Sequence, residues 1–569
     1  MVGLFVCKGF VVIELDAIGA NFVLKVSRGE LDLQVLLNEY GFNLSVPDST
    51  NSLAVLFTRD PYAAASFLQY ATPAAHAQLD WIGRQVAASS ALFSNRHLEM
   101  PSDKQLIPFQ VADCDYILSR AHALDADEMG LGKTPSAIVV ANEIQARRVC
   151  VVCPAQLRGQ WERRIHEWST IRDLKTQRVI TASNGVSAQH NYLIISYELA
   201  RNKFILRALT KMRFELLIID ECRYAKKLDA ARTRALFGYF DGRADDGESV
   251  ETIAACLMDV SDKVLCLDGT PTPNRPGEAY VFMRALDWAS IDWASHKAFR
   301  ERFNPQSKGK TSKNKVWTHE EEGRLPELQN RLRAHIMCRH LKSDVRDQLK
   351  EAFPYPVYDL IYLEETKAIK LALDHEKLLD IDPESFAGSD IEILGEISTV
   401  RKEMGVAMAP QVADYLQMLL EGGASKLVVF GWHAEVLDYL QRQLAPWGIV
   451  RVDGRDSGAG KEFKVHQFIN NQQVQVILGN VLTLGTGTDG LQHVAHHCLF
   501  AEPDWVHGNN EQCVTRLARM GQKDMVLADF FLVRDSMAEK VLATALRKGA
   551  TVRKMLDRSV RDLVEVENW

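Results

Sequence analysis

Short apolar runs alternate with helical patterns along most of this chain. Between about residues 101 and 290 the runs are β-branched or apolar, and each is short enough to be a strand. Strands that alternate with helices are typical of a parallel sheet that is covered by helices on both faces. The strands predicted for this first sheet are 149–153, 192–196, 215–219 and 263–267.

A second alternation begins near residue 424. It predicts another sheet domain of similar type, in tandem with the first, and a mainly helical insertion between the two. The predicted strands are 427–430, 449–452, 474–478 and 497–500, and the predicted helices are 434–444 and 461–470. The predicted fold class is therefore α/β with two parallel sheets.

The first hundred residues form a separate region. Two alternating runs, 10–15 and 21–26, predict strands, and the Ala-rich stretch 61–92 predicts helix. The region holds six lysines and arginines against nine acids, so it is not a basic arm for nucleic acid. We predict a small α+β accessory domain here. The predicted divisions are 1–100, a first lobe with a helical insertion and a basic loop at 101–345, a second lobe with a helical insertion at 346–545, and a C-terminal helical tail at 546–569.

Length and composition fit this division. A chain of 569 residues is too long for one hydrophobic core, and 47% hydrophobic with 25% charged residues is ordinary for a soluble globular protein. The net charge of −7 excludes a protein coated in positive charge, but not a local basic groove. No segment is apolar and long enough to span a membrane, and the N-terminus does not resemble a secretory signal. We therefore expect a cytoplasmic or nuclear protein that is not secreted and has no membrane partner.

The ten cysteines are scattered. The only close pair, Cys150 and Cys153, lies in a predicted strand, where residues three apart face opposite sides. We predict no zinc site and a reducing compartment.

The candidate chemistry begins at a glycine-rich turn. Gly130 and Gly132 let backbone N–H groups approach phosphates closely, and the helix that follows adds its N-terminal dipole. Lys133 can reach the β- and γ-phosphates of a nucleotide, and the Thr134 hydroxyl can bind Mg²⁺. The generic phosphate-binding pattern has a glycine six residues before the lysine, and this chain has Asp127 there.

Two acids follow the apolar run 216–219. Asp220 and Glu221 stand at the carboxyl end of a predicted parallel strand, where ligands bind in such sheets. Asp220 can hold Mg²⁺, and Glu221 can orient and deprotonate a water molecule. A solvated strand end is the alternative for this pair alone, but the glycine-rich turn upstream favours a site of nucleotide hydrolysis.

With these motifs the chain resembles the SNF2 family of superfamily 2 ATPases, whose first motif has an acid at the position of Asp127. The resemblance covers about residues 100–545 and implies two tandem RecA-like lobes. Its further motifs occur in order at 106–110, 153–157, 160–168, 220–227, 267–278, 339–345, 426–433, 485–492 and 512–522. Three positions depart from the family pattern, with Arg223 in place of the usual His, Asp268 where Ser or Thr is frequent, and Ala518 where His is frequent.

The resemblance implies a site for ATP and Mg²⁺ between the lobes. Gln110 would recognise adenine, and Asp489 would lie near the ribose. Arg516 and Arg519 are three apart on one helix face and would reach from the second lobe to the phosphates.

The resemblance also implies translocation on double-stranded or branched DNA, and it is closest to the annealing-helicase (HARP-like) branch with its bacterial and phage relatives. Thr270 and Thr483 lie in motif loops and are candidate DNA contacts. The predicted basic loop is a further candidate, with a solvated disordered loop as its alternative. Its lysines are Lys308, Lys310, Lys313 and Lys315.

Two other functions remain open at this point. One is a strand-separating helicase on DNA or RNA, and the other is a nucleotide-gated DNA-binding scaffold that does not move. Partners from replication, repair or phage–host conflict would bind through residues 1–100, and we expect a monomer.

Overall fold

The computed structural model describes three sheet-containing regions in chain order. The described residues are 13–27, 33–38, 40, 42–44, 53–238, 255–291, 295–310, 316–320, 323–349, 356–379, 391–485, 488–504, 507–519, 521–540, 542–543, 553 and 555–557. None of the helices in this part of the chain has the length and hydropathy that a membrane span needs.

The N-terminal region is an antiparallel sheet with helices packed on it, as predicted. Its strands occur in the spatial order β1-β2-β4-β3, and side chains such as Leu24 and Leu56 are fully buried beneath the helices. The elements are β1 (Ile13–Ile18), β2 (Asn21–Ser27), α1 (Leu33–Asn38), β3 (Asn43–Leu44), β4 (Leu53–Thr58), α2 (Pro61–Ala65) and α3 (Pro73–Ala88).

The first lobe contains a seven-stranded sheet whose pairs are all parallel. Its elements are α4 (Pro108–Leu118), β5 (Ala123–Asp125), α5 (Lys133–Glu143), β6 (Val149–Cys153), α6 (Arg158–Trp168), β7 (Thr176–Arg178), β8 (Tyr192–Ser196), α7 (Tyr197–Ala200), α8 (Lys203–Leu209), β9 (Phe214–Asp220), α9 (Ala231–Phe237), β10 (Ser261–Leu267), α10 (Ala279–Leu286), α11 (His296–Phe303), β11 (Gln306–Lys310), β12 (Val316–Glu320), α12 (Leu325–His335) and β13 (Met337–Cys338). The strand order is β13-β5-β10-β9-β6-β8-β7.

Successive residues of β9 show why this sheet is covered on both faces. Leu217 and Ile219 belong to one buried cluster, and Leu216 and Ile218 belong to the other. Because side chains alternate across a strand, a continuous apolar run needs a hydrophobic layer on each side. The four strands predicted for this sheet are confirmed within two residues at each end, whereas the short strands β5, β7 and β13 were not predicted.

The prediction that the lysine run forms a loop is wrong. Gln306–Lys310 pairs antiparallel with Val316–Glu320, so the first lysines lie in a strand of a hairpin. The run Val316–Trp317–Thr318 is rich in residues that favour strands, and it supplies a pairing partner that the lysine run by itself does not reveal. Lys313 and Lys315 lie outside the described residues, as do the side chains of Lys308 and Lys310.

The second lobe contains a six-stranded parallel sheet in the order β14-β19-β18-β15-β17-β16. Its elements are β14 (Val357–Tyr362), α13 (Lys367–Leu379), α14 (Ile391–Glu421), β15 (Leu427–Gly431), α15 (Ala434–Gln443), β16 (Ile449–Val452), α16 (Gly458–Asn470), β17 (Val476–Asn480), α17 (Val481–Leu484), β18 (His497–Phe500), α18 (His507–Val514) and β19 (Leu527–Leu532). The α/β fold class with two tandem lobes is confirmed.

The insertion between the sheets is helical in α13 and α14, as expected. It also begins with a strand that was not predicted, β14, which among the described strands pairs only with β19 at the sheet edge. Most of its residues are exposed, so it lacks the fully apolar run by which the central strands were recognised.

Candidate functional site

A cleft between the two lobes brings together most of the residues predicted to act on a nucleotide. Its volume is about 790 Å³, and residues of both lobes line it. The predicted residues among its lining are Gly130, Gly132, Lys133, Thr134, Asp220, Glu221, Arg516 and Arg519. Gln110 and Asp489 do not line it, and neither do Thr270 and Thr483.

The predicted phosphate-binding turn, called the cradle below, is the segment 126–132 between β5 and α5. Gly130 and Gly132 have φ of 93° and 86°, the left-handed region that favours glycine. A Cβ atom at Gly132 would lie 2.6 Å from Nε2 of Gln110, so space as well as conformation requires a glycine there. The turn directs the start of α5 toward the cleft, where free N–H groups can bind an anion.

Gln110 lies behind this turn. Its Nε2 donates to the Leu131 carbonyl at 2.8 Å, and its Oε1 accepts from the Ile107 backbone N–H at 2.9 Å. The amide therefore braces the cradle in this structure, and its predicted contact with adenine stays a prediction.

Lys133 is held by the cradle itself. Its Nζ donates to the carbonyls of Asp127 at 2.5 Å and Glu128 at 3.4 Å. These bonds point the ammonium group along the turn, in a position to exchange a backbone carbonyl for a phosphate oxygen.

Asp220 and Glu221 follow β9, as predicted. Trp161 on α6 donates from Nε1 to Oδ2 of Asp220 at 2.8 Å. Burial, with the nearby charge of Glu221 adding to it, raises the pKa of Asp220 to about 7. Glu221 has φ of 54°, an uncommon backbone conformation for a residue with a side chain, and this turns it out of the strand direction.

These residues fit a divalent cation. Asp220 and Thr134 line the same cleft, and their carboxylate and hydroxyl oxygens are ligands that Mg²⁺ prefers. A cation at Asp220 would also offset the repulsion between the two neighbouring acids.

The second lobe reaches the cleft through α18 and the turn after it. Arg516 and Arg519 lie in that turn, so the prediction that they share a helix face is wrong. Gln512 Nε2 donates to Oε1 of Glu221 at 3.0 Å. Arg519 Nη1 lies 3.3 Å from Oδ1 of Asp489, and Arg516 Nε donates to the Gly485 carbonyl at 2.8 Å. Burial, followed by the positive charge of Arg519, lowers the pKa of Arg516, so the two guanidinium groups form a site for a polyanion.

A contact that the sequence did not predict explains why residue 127 is an acid. Its Oδ1 accepts from the backbone N–H of His340 at 2.7 Å, and Nδ1 of His340 lies 3.2 Å from one oxygen each of Asp127 and Asp113. Burial alone would lower the pKa of His340, but the two carboxylates outweigh it and raise this pKa to about 11. The first motif therefore has an acid because this position anchors the segment that leads to the second lobe.

These three residues could also hold a metal ion by distance, since one ligand atom from each lies within 4.8 Å of the others. The protonated imidazole contacts Asp127 through a hydrogen bond and lies within ion-pair distance of Asp113, which offsets the charge of the acids without a metal ion. We therefore assign these residues a structural role. The spacing of Asp113 and Gln110, three apart on α4, was the only sequence signal that could have pointed to Asp113.

Arg223 is buried and surrounded by acids. Its Nη2 lies 2.6 Å from Oε2 of Glu221, and Nη1 lies 3.6 Å from Oδ1 of Asp268. Burial opposes the charge, but the two carboxylates outweigh it and raise the pKa of Arg223 above its ordinary value. The residue is therefore a permanent cation beside the acids of the cleft.

The two DNA candidates in motif loops are half-buried. The Thr270 backbone N–H donates to Oδ1 of Asp268 at 2.9 Å, and the Thr483 carbonyl accepts from Lys461. Their contacts with DNA stay predictions.

Comparison with known proteins points to one family. An SNF2-related domain matches residues 91–244. The DNA annealing helicase and endonuclease ZRANB3 of Bos taurus is 24% identical over 497 residues, which cover 84% of this chain and 43% of that protein. The SWI/SNF-related matrix-associated actin-dependent regulator of chromatin subfamily A-like protein 1 of Xenopus laevis is 26% identical over 448 residues, which cover 77% of this chain and 43% of that protein.

Among solved structures, the Sulfolobus solfataricus SWI2/SNF2 ATPase core in complex with dsDNA is similar over 82% of this chain and 100% of that one, with 15% identity and a TM-score of 0.37. The chain spans less than half the length of the two curated relatives.

Proposed function

Since an SNF2-related domain matches residues 91–244 and the chain is similar to SNF2-type relatives over most of its length, we propose that it is an SNF2-type ATPase that hydrolyses ATP to move along double-stranded or branched DNA. The observation that carries this proposal is the composition of the cleft. Lys133 and Thr134 enter it from the first lobe, and Arg516 and Arg519 enter it from the second. A site built from two lobes ties the state of the nucleotide to the distance between them.

Each lobe has its own task in hydrolysis. Lys133 and the N–H groups at the start of α5 would bind the β- and γ-phosphates, and Glu221 would take a proton from the attacking water. Thr134 and Asp220 would hold Mg²⁺, which neutralises phosphate charge when it is bound. Arg516 and Arg519 would stabilise charge on the transferred phosphoryl group, a contribution of roughly 10³–10⁵ in rate in other systems.

Movement would follow from opening and closing of the cleft. ATP attracts the two arginines and closes the lobes, and release of phosphate removes that attraction. Thr270 and Thr483 would contact the DNA backbone, which carries no sequence information, so binding would be sequence-neutral.

The branch of the family, the compartment and the partners of this chain are also proposals. The Bos taurus relative is named a DNA annealing helicase and endonuclease, and we place this chain in that branch of the family. We further propose that it acts as a monomer in the cytoplasm of a bacterial or phage-infected cell, or in a nucleus, with protein partners bound through residues 1–100.

The first test is ATP hydrolysis by the whole chain with duplex, single-stranded and forked DNA. We expect duplex or forked DNA to stimulate most, and a triplex-displacement assay to show movement without processive unwinding. Strong unwinding without triplex displacement would instead identify a strand-separating helicase.

Two variants separate a motor from a scaffold. Lys133→Ala should weaken ATP binding, and Glu221→Gln should keep ATP binding while it slows hydrolysis by about 10²-fold or more. Full triplex displacement by both variants would mean that hydrolysis is dispensable, and the motor proposal would fail.

A further inference from the structure

Two residues that depart from the family pattern, Arg223 and Asp268, lie against each other, and Asp268 lines the cleft. The backbone N–H of Arg223 donates to Oδ2 of Asp268 at 2.8 Å, and the guanidinium Nη1 lies 3.6 Å from Oδ1. Arg223 is 6% exposed and Asp268 is 1% exposed. A buried cation and a buried anion that meet in this way compensate each other, whereas either one alone would be costly.

The other side of the Arg223 guanidinium closes a ring across the lobes. Nη2 lies 2.6 Å from Oε2 of Glu221 and donates to Oε1 of Gln512 at 2.5 Å. Gln512 in turn donates from Nε2 to Oε1 of Glu221 at 3.0 Å. The side chains of Arg223, Glu221 and Gln512 therefore hold one another in position, and Gln512 belongs to the second lobe.

This ring sets the direction of the Glu221 carboxylate. Its Oε1 accepts a hydrogen bond from Gln512 and its Oε2 forms an ion pair with Arg223, so the group cannot rotate freely. Each oxygen also retains a second lone pair, which leaves the carboxylate able to accept a proton from water. The ring is complete only when the second lobe places Gln512 beside Glu221.

Asp268 also contacts the loop that follows β10. Its Oδ1 accepts from the backbone N–H of Thr270 at 2.9 Å, while its Oδ2 holds the backbone of Arg223. If Arg223 were neutral, Asp268 and Glu221 would be two buried acids without a cation between them.

We propose that Arg223 and Asp268 are a matched pair of positioning residues, which aligns Glu221 with Gln512 and so makes hydrolysis depend on the seating of the second lobe. This inference rests on the proposed ATPase function. Neither residue touches the reacting atoms in this role, because both act through Glu221.

The test is a double-mutant cycle on the full chain. Arg223→His, Asp268→Thr and the double variant use the residue types that the family frequently has at these positions. The measurements are kcat and KM for ATP with saturating duplex DNA, the ratio of DNA-stimulated to basal rate, and the melting temperature.

We expect each single variant to lower the DNA-stimulated kcat by about tenfold or more while the KM for ATP stays within about twofold. The stimulation ratio should fall with kcat, because Glu221 is no longer aligned with the second lobe. The double variant should recover kcat to within about threefold of the wild type, because it leaves no unpaired buried charge.

Arg451→His is the matched control. Arg451 is 8% exposed, lies in the second lobe, and its Nε is 3.1 Å from Oδ2 of Asp453. This variant should lower the melting temperature and leave kcat and the stimulation ratio unchanged.

If the reductions in kcat of the two single variants multiply in the double variant, the two residues do not act as a pair and the inference is overturned. It is also overturned if the single variants change only the melting temperature. If the single variants do not fold, the double variant is compared with the wild type directly, and a loss of about 10²-fold or more overturns the inference. A wild-type protein without ATPase activity would instead refute the proposed function itself, so the two failures are distinguishable.

Discussion

Both the backbone conformation at Gly132 and the space around it favour a glycine at this position of the cradle. Its φ of 86° is strained for any residue with a side chain, at about 1–2 kcal/mol. A Cβ atom would in addition meet the amide of Gln110, which braces the turn from behind. A side chain at this position would therefore have to displace the Gln110 amide.

Gly132→Ala should lower both the melting temperature and the affinity for ATP. We expect ATP binding to weaken by about tenfold or more, because the strain and the displaced Gln110 amide both act on the phosphate-binding turn. Gly454→Ala is the control, since a Cβ there meets no atom within 4 Å. Isothermal titration with ATP and thermal melts make the comparison, and equal affinities for the two variants would refute this account.

His340 makes the contact between the first motif and the interlobe segment dependent on pH. Its pKa is raised from about 6.5 in an unfolded chain to about 11 in the folded one. A raised folded pKa adds stability that is fully present below pH 6.5 and is lost as the pH rises through 11. Across pH 7–9 the stabilisation should therefore decline steadily.

His340→Gln should remove this decline. The difference in unfolding free energy between wild type and variant should shrink by roughly 1 kcal/mol per pH unit between pH 7 and 9. His375→Gln is the control, because His375 forms a half-exposed pair with Glu403 on the surface of the second lobe. Parallel pH curves for wild type and His340→Gln would contradict the assignment.

At the scale of elements, the hairpin of β11 and β12 presents the lysine run in a different form from the one predicted. A strand extends further per residue than a helix, so a hairpin can place positive charge well outside the lobe that carries it. We keep the proposal that this segment follows the DNA backbone, now as a hairpin.

Replacement of Lys308, Lys310, Lys313 and Lys315 with Ala should weaken DNA-stimulated ATPase. Because each bound phosphate releases counterions, the slope of log affinity against log salt should become shallower, by about 0.9 for each phosphate that the variant no longer binds. Basal ATPase without DNA should be retained, since none of the residues that line the cleft belongs to the hairpin. Lys297→Ala with Lys367→Ala, which changes two lysines outside the hairpin, serves as a control. An unchanged salt slope in the quadruple variant would refute the proposed interaction with DNA.

At the scale of the whole molecule, the N-terminal sheet region is docked on the first lobe by buried charges. Oδ2 of Asp60 lies 2.8 Å from Arg302 and 2.9 Å from Arg331, and Glu327 completes the group from α12. Burial opposes its charge, but Arg331 and the other partners lower the pKa of Asp60 below its ordinary value. The accessory region and the motor lobe therefore share one ionic network.

Asp60→Asn should loosen this docking and still cap α2, because the amide oxygen can accept from the same backbone N–H groups. We expect a loss of about 3–5 kcal/mol, the cost of breaking a buried pair, and earlier proteolysis between the N-terminal region and the first lobe. Asp80→Asn is the control, since Asp80 pairs with Arg84 on an exposed helix face and such pairs contribute little. Equal melting temperatures for the two variants would show that the network does not hold the regions together.

The length of an apolar run decided several of the strand predictions but not all of them, since the buried six-residue strand β19 was not predicted. β15 was recognised because its continuous apolar residues predict a strand buried on both faces. β5 and β13 have three and two residues, and such strands exist only through pairing with distant neighbours. β14 was overlooked because it lies at an edge, where burial does not shape the pattern.

The nucleotide site was largely predictable, because its residues lie in local motifs with fixed spacing. Lys133, Asp220 and Arg516 were each identified from neighbours a few positions away, and the structure brings all three to one cleft. Their roles in catalysis remain predictions. The resemblance to the SNF2 family rested on the order of these motifs, and it is supported by the SNF2-related domain that matches residues 91–244.

The sequence by itself therefore determined the two-lobed α/β plan and most of the residues that line the cleft between the lobes, since each depends on periodicity or on short-range spacing. Only the tertiary structure decided why Asp127 is an acid and what Arg223 and Asp268 do. The first answer joins Asp127 to His340, 213 residues away, and the second joins Arg223 to Asp268 and Gln512, 45 and 289 residues away. Buried charges are stable only beside their partners, and no local pattern states which distant residue folding will place there.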